Sequence, residues 1–249
     1  MRKRLTIFLL FTISLLLVAA VGRSVVAQDW RTASREPVGL APAPATTPEA
    51  VVQVYAARTV GARGAFGVHT WVAVKPANAD HYVVYEVIGW RLRWADSVVS
   101  IHRRAPDARW FGNDPEILAE RRGAEAEKLI PRIEAAAQGY PWPKEYSAWP
   151  GPNSNTFTAW VARAVPELAV DFPATAIGKD YSESLIGAAP SGSGGQFTLG
   201  GLFALTASRV EGLEVNLLGL SFGVGPSGLK LPIVGRVGPS RDPALSNLV

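Results

Sequence analysis

The chain has 249 residues and 48% hydrophobic composition, and its lack of cysteine excludes disulfides, thiolate metal sites and cysteine catalysis. Its 25 lysines and arginines against 21 acidic residues give a net charge of +4. The basic residues of residues 1–27 account for this whole excess, so the rest of the chain lacks the basic surplus that nucleic-acid binding requires.

The first 27 residues have the pattern of an export signal. A basic cluster at positions 2–4 precedes an apolar run from Leu5 to Gly22, and small residues suit a cleavage site after Ala27. The run is also close to the ~18 residues that permit a membrane span. We therefore expect residues 1–27 to be either a signal peptide or a retained anchor. Both place the chain in the periplasm or on the inner membrane, and a retained anchor would contact the membrane through residues 5–22.

Residues 28–48 are predicted to form a linker. Their prolines, separated by alanine and threonine, favour an extended and weakly ordered segment. A single globular domain is predicted over 49–240, and it begins with alternating, β-prone stretches that indicate an antiparallel meander. The predicted strands are Val51–Arg58, Val68–Lys75, Tyr82–Trp90 and Ser97–His102.

Helical patterns follow the meander. Helices are predicted over 114–120, over 125–138 with Pro131 inside, and over 154–165. The apolar stretches of the last third are interrupted by glycine and are more typical of strands. The predicted fold class is therefore α+β, an antiparallel sheet with packed helices and an apolar, glycine-rich C-terminal β extension.

Ser154 is the candidate nucleophile. It stands at the predicted start of a helix and shares the inward stripe of Phe157 and Val161. The free N–H groups and the positive dipole end there could support a nucleophile and an oxyanion. Serine and asparagine are also the preferred helix N-caps, so a structural cap is the alternative.

His69 and Glu86 are the candidate base and its orienting carboxylate. If the hairpin turns about residues 76–81, Trp71 comes opposite Glu86, which becomes a diagonal neighbour of His69. A carboxylate there could orient the imidazole, whereas a slip of one residue would separate them. The alternative is a partly buried histidine with a structural hydrogen bond.

No metal or cofactor site is predicted, because the three histidines show no ligand spacing and the glycine-rich segments lack the complete phosphate-loop motif. The aromatic loop at 140–149 directly precedes Ser154. Its residues Tyr146 and Trp149, with Asn153 and Asn155, could wall a binding groove, and core packing or a lid is the alternative.

The domain resembles an uncharacterised bacterial family catalogued as domain of unknown function 3750. That family has no assigned reaction. The strings that carry the resemblance include Gly67–Trp71, Tyr85–Trp90, Trp110–Gly112, Trp149–Phe157, Ala176–Tyr181 and Glu211–Asn216.

The motifs His69-Thr70 and Asn153–Phe157 are also similar to those of permuted papain-like families, including the PPPDE isopeptidases and NlpC-like proteins. This resemblance covers about 49–165 and implies a permuted papain-like fold with His69 as base and Ser154 in the place of the cysteine nucleophile. A hydroxyl does not ionise near neutral pH as such a thiol does.

Three hypotheses follow for the function. The first is a non-catalytic binding or structural module of the cell envelope with a degenerate papain-like site, whose partner is an unknown envelope ligand or protein. The alternative is a serine-type hydrolase or acyl transferase that uses Ser154, His69 and Glu86. The third is a transport or lipid-handling role for the apolar C-terminal third.

Overall fold

The computed structural model describes residues 29–232 and 234–238, so the predicted signal or anchor lies outside the described residues. Its first layer is a five-stranded antiparallel sheet with the strand order β4-β3-β2-β1-β5. The strands are β1 (Val51–Arg58), β2 (Val68–Lys75), β3 (Val83–Val87), β4 (Val99–Arg103) and β5 (Glu116–Arg122). The predicted meander is confirmed, and the bounds of β1 and β2 agree with the prediction.

The helix predicted over 114–120 was wrong. Residues Glu116–Arg122 form β5, which pairs antiparallel with the free side of β1. β1 is buried along almost its whole length, so its outer backbone N–H and C=O groups would be costly to leave without partners. This tertiary requirement outweighs the local helix preference of glutamate, leucine and alanine.

Two helices cover one face of this sheet. They are α1 (Gly123–Gln138), which keeps Pro131 inside it, and α2 (Ser154–Ala164), and both agree with the predicted positions. Ile133 and Phe157 from the helices pack against Val54, Val72 and Tyr85 of the strands in one buried apolar cluster. The even-numbered residues of β2 face this cluster.

The opposite face of the sheet carries a second apolar cluster built around Tyr55, Trp71 and Val84. Residues 29–48 lie over this side. The segment includes a short 3-10 helix at Pro44–Thr46 and contacts the domain: Leu40 N and Ala41 N donate to Asp107 Oδ2 at 2.7 and 3.3 Å, and the Tyr82 hydroxyl donates to Pro42 O. These contacts hold residues 40–42 of the predicted linker against the domain.

The last third of the described chain forms a second antiparallel sheet of seven strands, which run in sequence order from β6 to β12. This arrangement agrees with the predicted β extension. The strands are β6 (Ile186–Ala188), β7 (Gly194–Leu199), β8 (Phe203–Ser208), β9 (Gly212–Leu217), β10 (Leu220–Gly225), β11 (Gly228–Leu231) and β12 (Gly235–Val237). Within residues 29–232 and 234–238, no helix is both long and apolar enough to span a membrane.

Candidate functional site

The predicted pairing of His69 with Glu86 is present. Val72 pairs with Tyr85 and Ala73 with Val84, a register that continues to put Trp71 opposite Glu86. His69 Nε2 lies 2.8 Å from Glu86 Oε2, and both side chains are buried. The position of the hairpin turn between the two strands was therefore sufficient to predict this contact.

Cationic and aromatic groups surround the pair. The second oxygen of Glu86, Oε1, lies 3.5 Å from His102 Nε2 and 3.5 Å from Arg104 Nη2. The His69 ring stacks on Trp110 with 3.7 Å between ring centroids. The guanidinium of Arg104 also lies 5.1 Å from the centroid of the Trp71 ring. Arg104 therefore contacts both the Trp71 ring and the Glu86 carboxylate.

Burial lowers the pKa of His69 and outweighs the opposing effect of Glu86. Burial also acts to raise the pKa of Glu86, but His69, Arg104 and His102 outweigh it and hold that pKa below its ordinary value. The arrangement therefore favours an ionised Glu86 that accepts the Nε2 proton of a neutral His69. Among the described residues, His69 Nδ1 has no hydrogen-bond partner, so the oriented imidazole retains a free lone pair.

Ser154 lies on the other side of the sheet. The Thr70 hydroxyl donates to Ser154 O at 3.3 Å and to Asn155 Oδ1 at 3.0 Å, so Thr70 faces helix α2. Successive side chains of a strand point to opposite faces, and His69 accordingly points to the cluster of Trp71 and Trp110. The structure therefore does not bring His69 and Ser154 together, and this corrects the predicted dyad geometry.

Asn153 and Asn155 are engaged in structural contacts at the start of α2. Asn153 is the N-cap: its Oδ1 accepts from Asn155 N and Thr156 N, while the Thr156 hydroxyl accepts from Asn153 N in a capping box. Asn155 Nδ2 donates to Val68 O and Ile177 O at 3.1 and 2.7 Å. The N-cap is therefore Asn153, and Ser154 is the first residue of the helix and not its cap.

Tyr146 and Trp149 lie on the surface, with 42% and 50% of their area exposed. The Tyr146 ring covers Gly89, where an added Cβ would be 2.4 Å from the ring. Trp149 Nε1 donates to Leu218 O at 2.8 Å and so connects the aromatic loop to the second sheet. The four predicted binding residues do not share one surface, because Asn153 and Asn155 are buried.

The second sheet has its polar face inside, and the sequence pattern did not reveal this arrangement. Its buried residues are mostly polar or charged and include Gln196, Thr198, Thr206, Glu214, Asn216, Ser221 and Lys230. Three cations and three anions form a network that joins this face to the segment before the sheet; the members are Asp171, Lys179, Asp180, Glu214, Lys230 and Arg236.

Each charge in the network has a close partner. Lys179 Nζ lies 2.9 Å from Asp180 Oδ1 and 2.9 Å from Glu214 Oε2, and Lys230 Nζ lies 2.7 Å from Asp171 Oδ1. Burial acts to lower the pKa of Lys179, but the charges of Asp180 and Glu214 outweigh it and raise that pKa. Burial acts to raise the pKa of Asp180, but Lys179 outweighs this effect and holds that pKa below its ordinary value. The pairing with opposite charges therefore favours the charged forms of Lys179 and Asp180 despite their burial.

The outward face of the same sheet, which we call the apolar face, carries only apolar residues and glycine. Its side chains form three rows across paired strands. The rows are Ile186, Phe197, Leu205, Val215 and Phe222; Leu199, Phe203, Leu217 and Leu220; and Ala207, Leu213, Val224, Leu229 and Val237. The other positions are Ala188, Gly195, Leu231 and Gly235.

The apolar face is exposed. On the central strand β9, Leu213, Val215 and Leu217 are 64%, 38% and 50% exposed. The strict alternation of polar and apolar residues was visible in the sequence, but alternation does not reveal which face of a sheet is covered. Within the described ranges no group of three or more histidine, aspartate or glutamate side chains could hold a metal ion.

Comparison with known proteins assigns the family and no activity. No curated protein and no solved structure matches the chain. A family model described as "Protein of unknown function (DUF3750)" matches residues 49–181, which is more than half of the 249 residues. This range includes the sheet with His69 and Glu86, both helices, and Asp171, Lys179 and Asp180 of the ion network. The chain belongs to the DUF3750 family of proteins of unknown function.

Proposed function

We propose that this protein is a non-catalytic binding module of the cell envelope and that its binding surface is the apolar face of the second sheet. The observation that carries the proposal is the inversion of this sheet, whose charged side is buried and whose apolar side is exposed. Export rests on the sequence pattern of residues 1–27, with the domain on the outer side of the inner membrane.

The size of the apolar face supports a binding role. Four central strands of six residues and three shorter outer strands, spaced about 4.8 Å apart, cover a flat area on the order of 500 Å². Exposed apolar patches of this size or larger commonly mark interaction sites. At about 25 cal/mol per Å², covering the face would release about 12 kcal/mol before the costs of association are subtracted.

The arrangement of the predicted catalytic residues favours binding over catalysis. Ser154 and His69 lie on opposite faces of the first sheet, and Asn155 beside Ser154 is used to fasten α2 to β2. A general base must come within hydrogen-bond or one-water reach of the proton it removes. The permuted papain-like fold stays a prediction, supported by a helix that starts at Ser154 and packs on the sheet that contains His69.

The proposal is tested by thiol labelling in spheroplasts that express the full chain. Because the chain has no cysteine, Leu213→Cys and Trp94→Cys each introduce a single thiol, and the two native side chains are 64% and 66% exposed. Leu213 lies on the apolar face and Trp94 lies outside it. With a membrane-impermeant maleimide, we expect rapid labelling at position 94 and severalfold slower labelling at position 213, because a partner covers the face.

A denaturing wash provides the control, since both thiols should then react equally. Equal labelling of the two variants in intact spheroplasts would contradict a covered apolar face. If neither thiol is labelled until the spheroplasts are lysed, the domain is not outside the inner membrane and export is overturned.

A further inference from the structure

We infer that the partner of the apolar face is the hydrocarbon surface of a lipid bilayer, an inference that rests on the proposed function. The domain would lie on the membrane with this sheet partly immersed. The inference draws on three features of the described residues: the chemistry of the face, its continuation onto neighbouring turns, and the place where the chain enters the domain.

The face offers no polar group for recognition. All of its outward side chains are apolar or glycine, and the backbone groups between neighbouring strands are paired in the sheet. Protein interfaces contain about one hydrogen bond per 100–200 Å² and a polar rim, which a surface of this composition cannot supply from its own side chains. Hydrocarbon makes no hydrogen bonds, so it requires none from the apolar side chains that it covers.

Exposed apolar residues continue past the sheet onto the turns at one end of its strands. Leu202 in the β7–β8 turn and Leu218 in the β9–β10 turn are exposed, as is Leu185 just before β6. A flat second copy placed on the face would leave these tips uncovered, whereas a fluid lipid layer surrounds them. Trp149 lies at the same end of the strands, where its indole N–H donates to Leu218 O. Tryptophan is enriched at membrane–water interfaces.

The entry point of the chain places the second sheet within reach of a membrane. The apolar run ends at Gly22, and residues 23–28 can span at most about 20 Å before Asp29, the first described residue. Ser34 O accepts from Gly112 N, and Gly112 lines a cleft of about 810 Å³ together with Gly235 and Arg236 of β12. The chain therefore enters the domain beside a cleft that β12 also lines, and a bilayer that holds residues 5–22 would be within reach of this side of the domain.

The experiment uses full-length single-cysteine variants carrying the fluorophore NBD and reconstituted in phosphatidylcholine vesicles. Leu213→Cys and Leu217→Cys report the apolar face, and Trp94→Cys and Ile101→Cys are controls with similar native exposure. Side chains on an interfacial surface enter ~5–10 Å below the headgroups, so nitroxide-labelled lipid should quench the two face positions about twofold. The control positions should keep their fluorescence.

Each other outcome overturns the inference in a recognisable way. If NBD at position 213 resists the lipid quencher but its emission shifts to the blue as the protein-to-lipid ratio rises, a second copy covers the face. If lipid does not quench NBD at position 213 at any protein-to-lipid ratio, and the thiol at this position is protected from maleimide in spheroplasts, a different protein covers the face in the cell. Both results would reject the bilayer as the partner and leave the proposed binding role intact. If the thiol at position 213 is not protected from maleimide in spheroplasts, the proposed function itself is rejected.

Discussion

Replacing Asp180 by alanine is expected to lower the free energy of unfolding by about 3–5 kcal/mol, because it leaves the buried ion network with one positive charge in excess. Asp180 is fully buried and accepts from Lys179 Nζ at 2.9 and 3.0 Å, and also from the side-chain amides of Gln196 and Asn216. The substitution removes the acceptor of all three donors. Lys179 then keeps one carboxylate, that of Glu214, instead of two.

Urea denaturation followed by circular dichroism measures this effect. Asp96→Ala is the matched control, because Asp96 is exposed and such surface substitutions usually change stability by less than about 0.5 kcal/mol. An Asp180→Ala variant as stable as Asp96→Ala would show that the network does not hold the second sheet to the domain.

The second large effect is expected at Asn155, where alanine should cost about 3 kcal/mol. The buried amide donates to Val68 O and Ile177 O, and its oxygen accepts from the Thr70 hydroxyl. Alanine leaves both carbonyls without this donor, and each buried polar group left without its partner costs about 1–3 kcal/mol. The side chain therefore fastens the start of α2 to β2 and to the loop at Ile177.

Ser154→Ala is the comparison in the same denaturation assay. Among the described residues the Ser154 hydroxyl has no hydrogen-bond partner, so its removal should cost less than about 1 kcal/mol. A larger loss at Ser154 than at Asn155 would contradict this view of the helix start. The order of the two losses matters because the sequence directed attention to Ser154, whereas the contacts assign the structural role to its neighbour.

Local pattern was enough to predict β1, β2 and the start of α2, because each has a clear period or cap. It failed at Glu116–Arg122, where a residue set that favours a helix is used as a strand along the free side of β1. Pairing between strands that are far apart in sequence depends on which strand of the sheet still has an unpaired side. The sequence of a single segment does not contain this information.

The same limit explains the outcome at the candidate site. The register of β2 and β3 could be derived from the hairpin, so the contact of His69 with Glu86 was predicted. The face of β2 that receives α2 could not be derived, because β2 is buried on both sides and its alternation distinguishes no inside from outside. The apolar residues of the second sheet were equally visible, and the usual assumption that apolar residues lie inside is wrong there.

The inverted second sheet also has a thermal consequence. Unfolding usually raises the heat capacity by about 12–15 cal/mol/K per residue because apolar surface becomes hydrated, while exposure of polar surface lowers it. In this sheet the apolar side already faces outward and the buried side is mostly polar. Its unfolding should therefore add little to the heat capacity, and a calorimetric value for the free chain at the usual level per residue would contradict this. The stability of this part should vary little with temperature, and cooling should weaken it less than an apolar core.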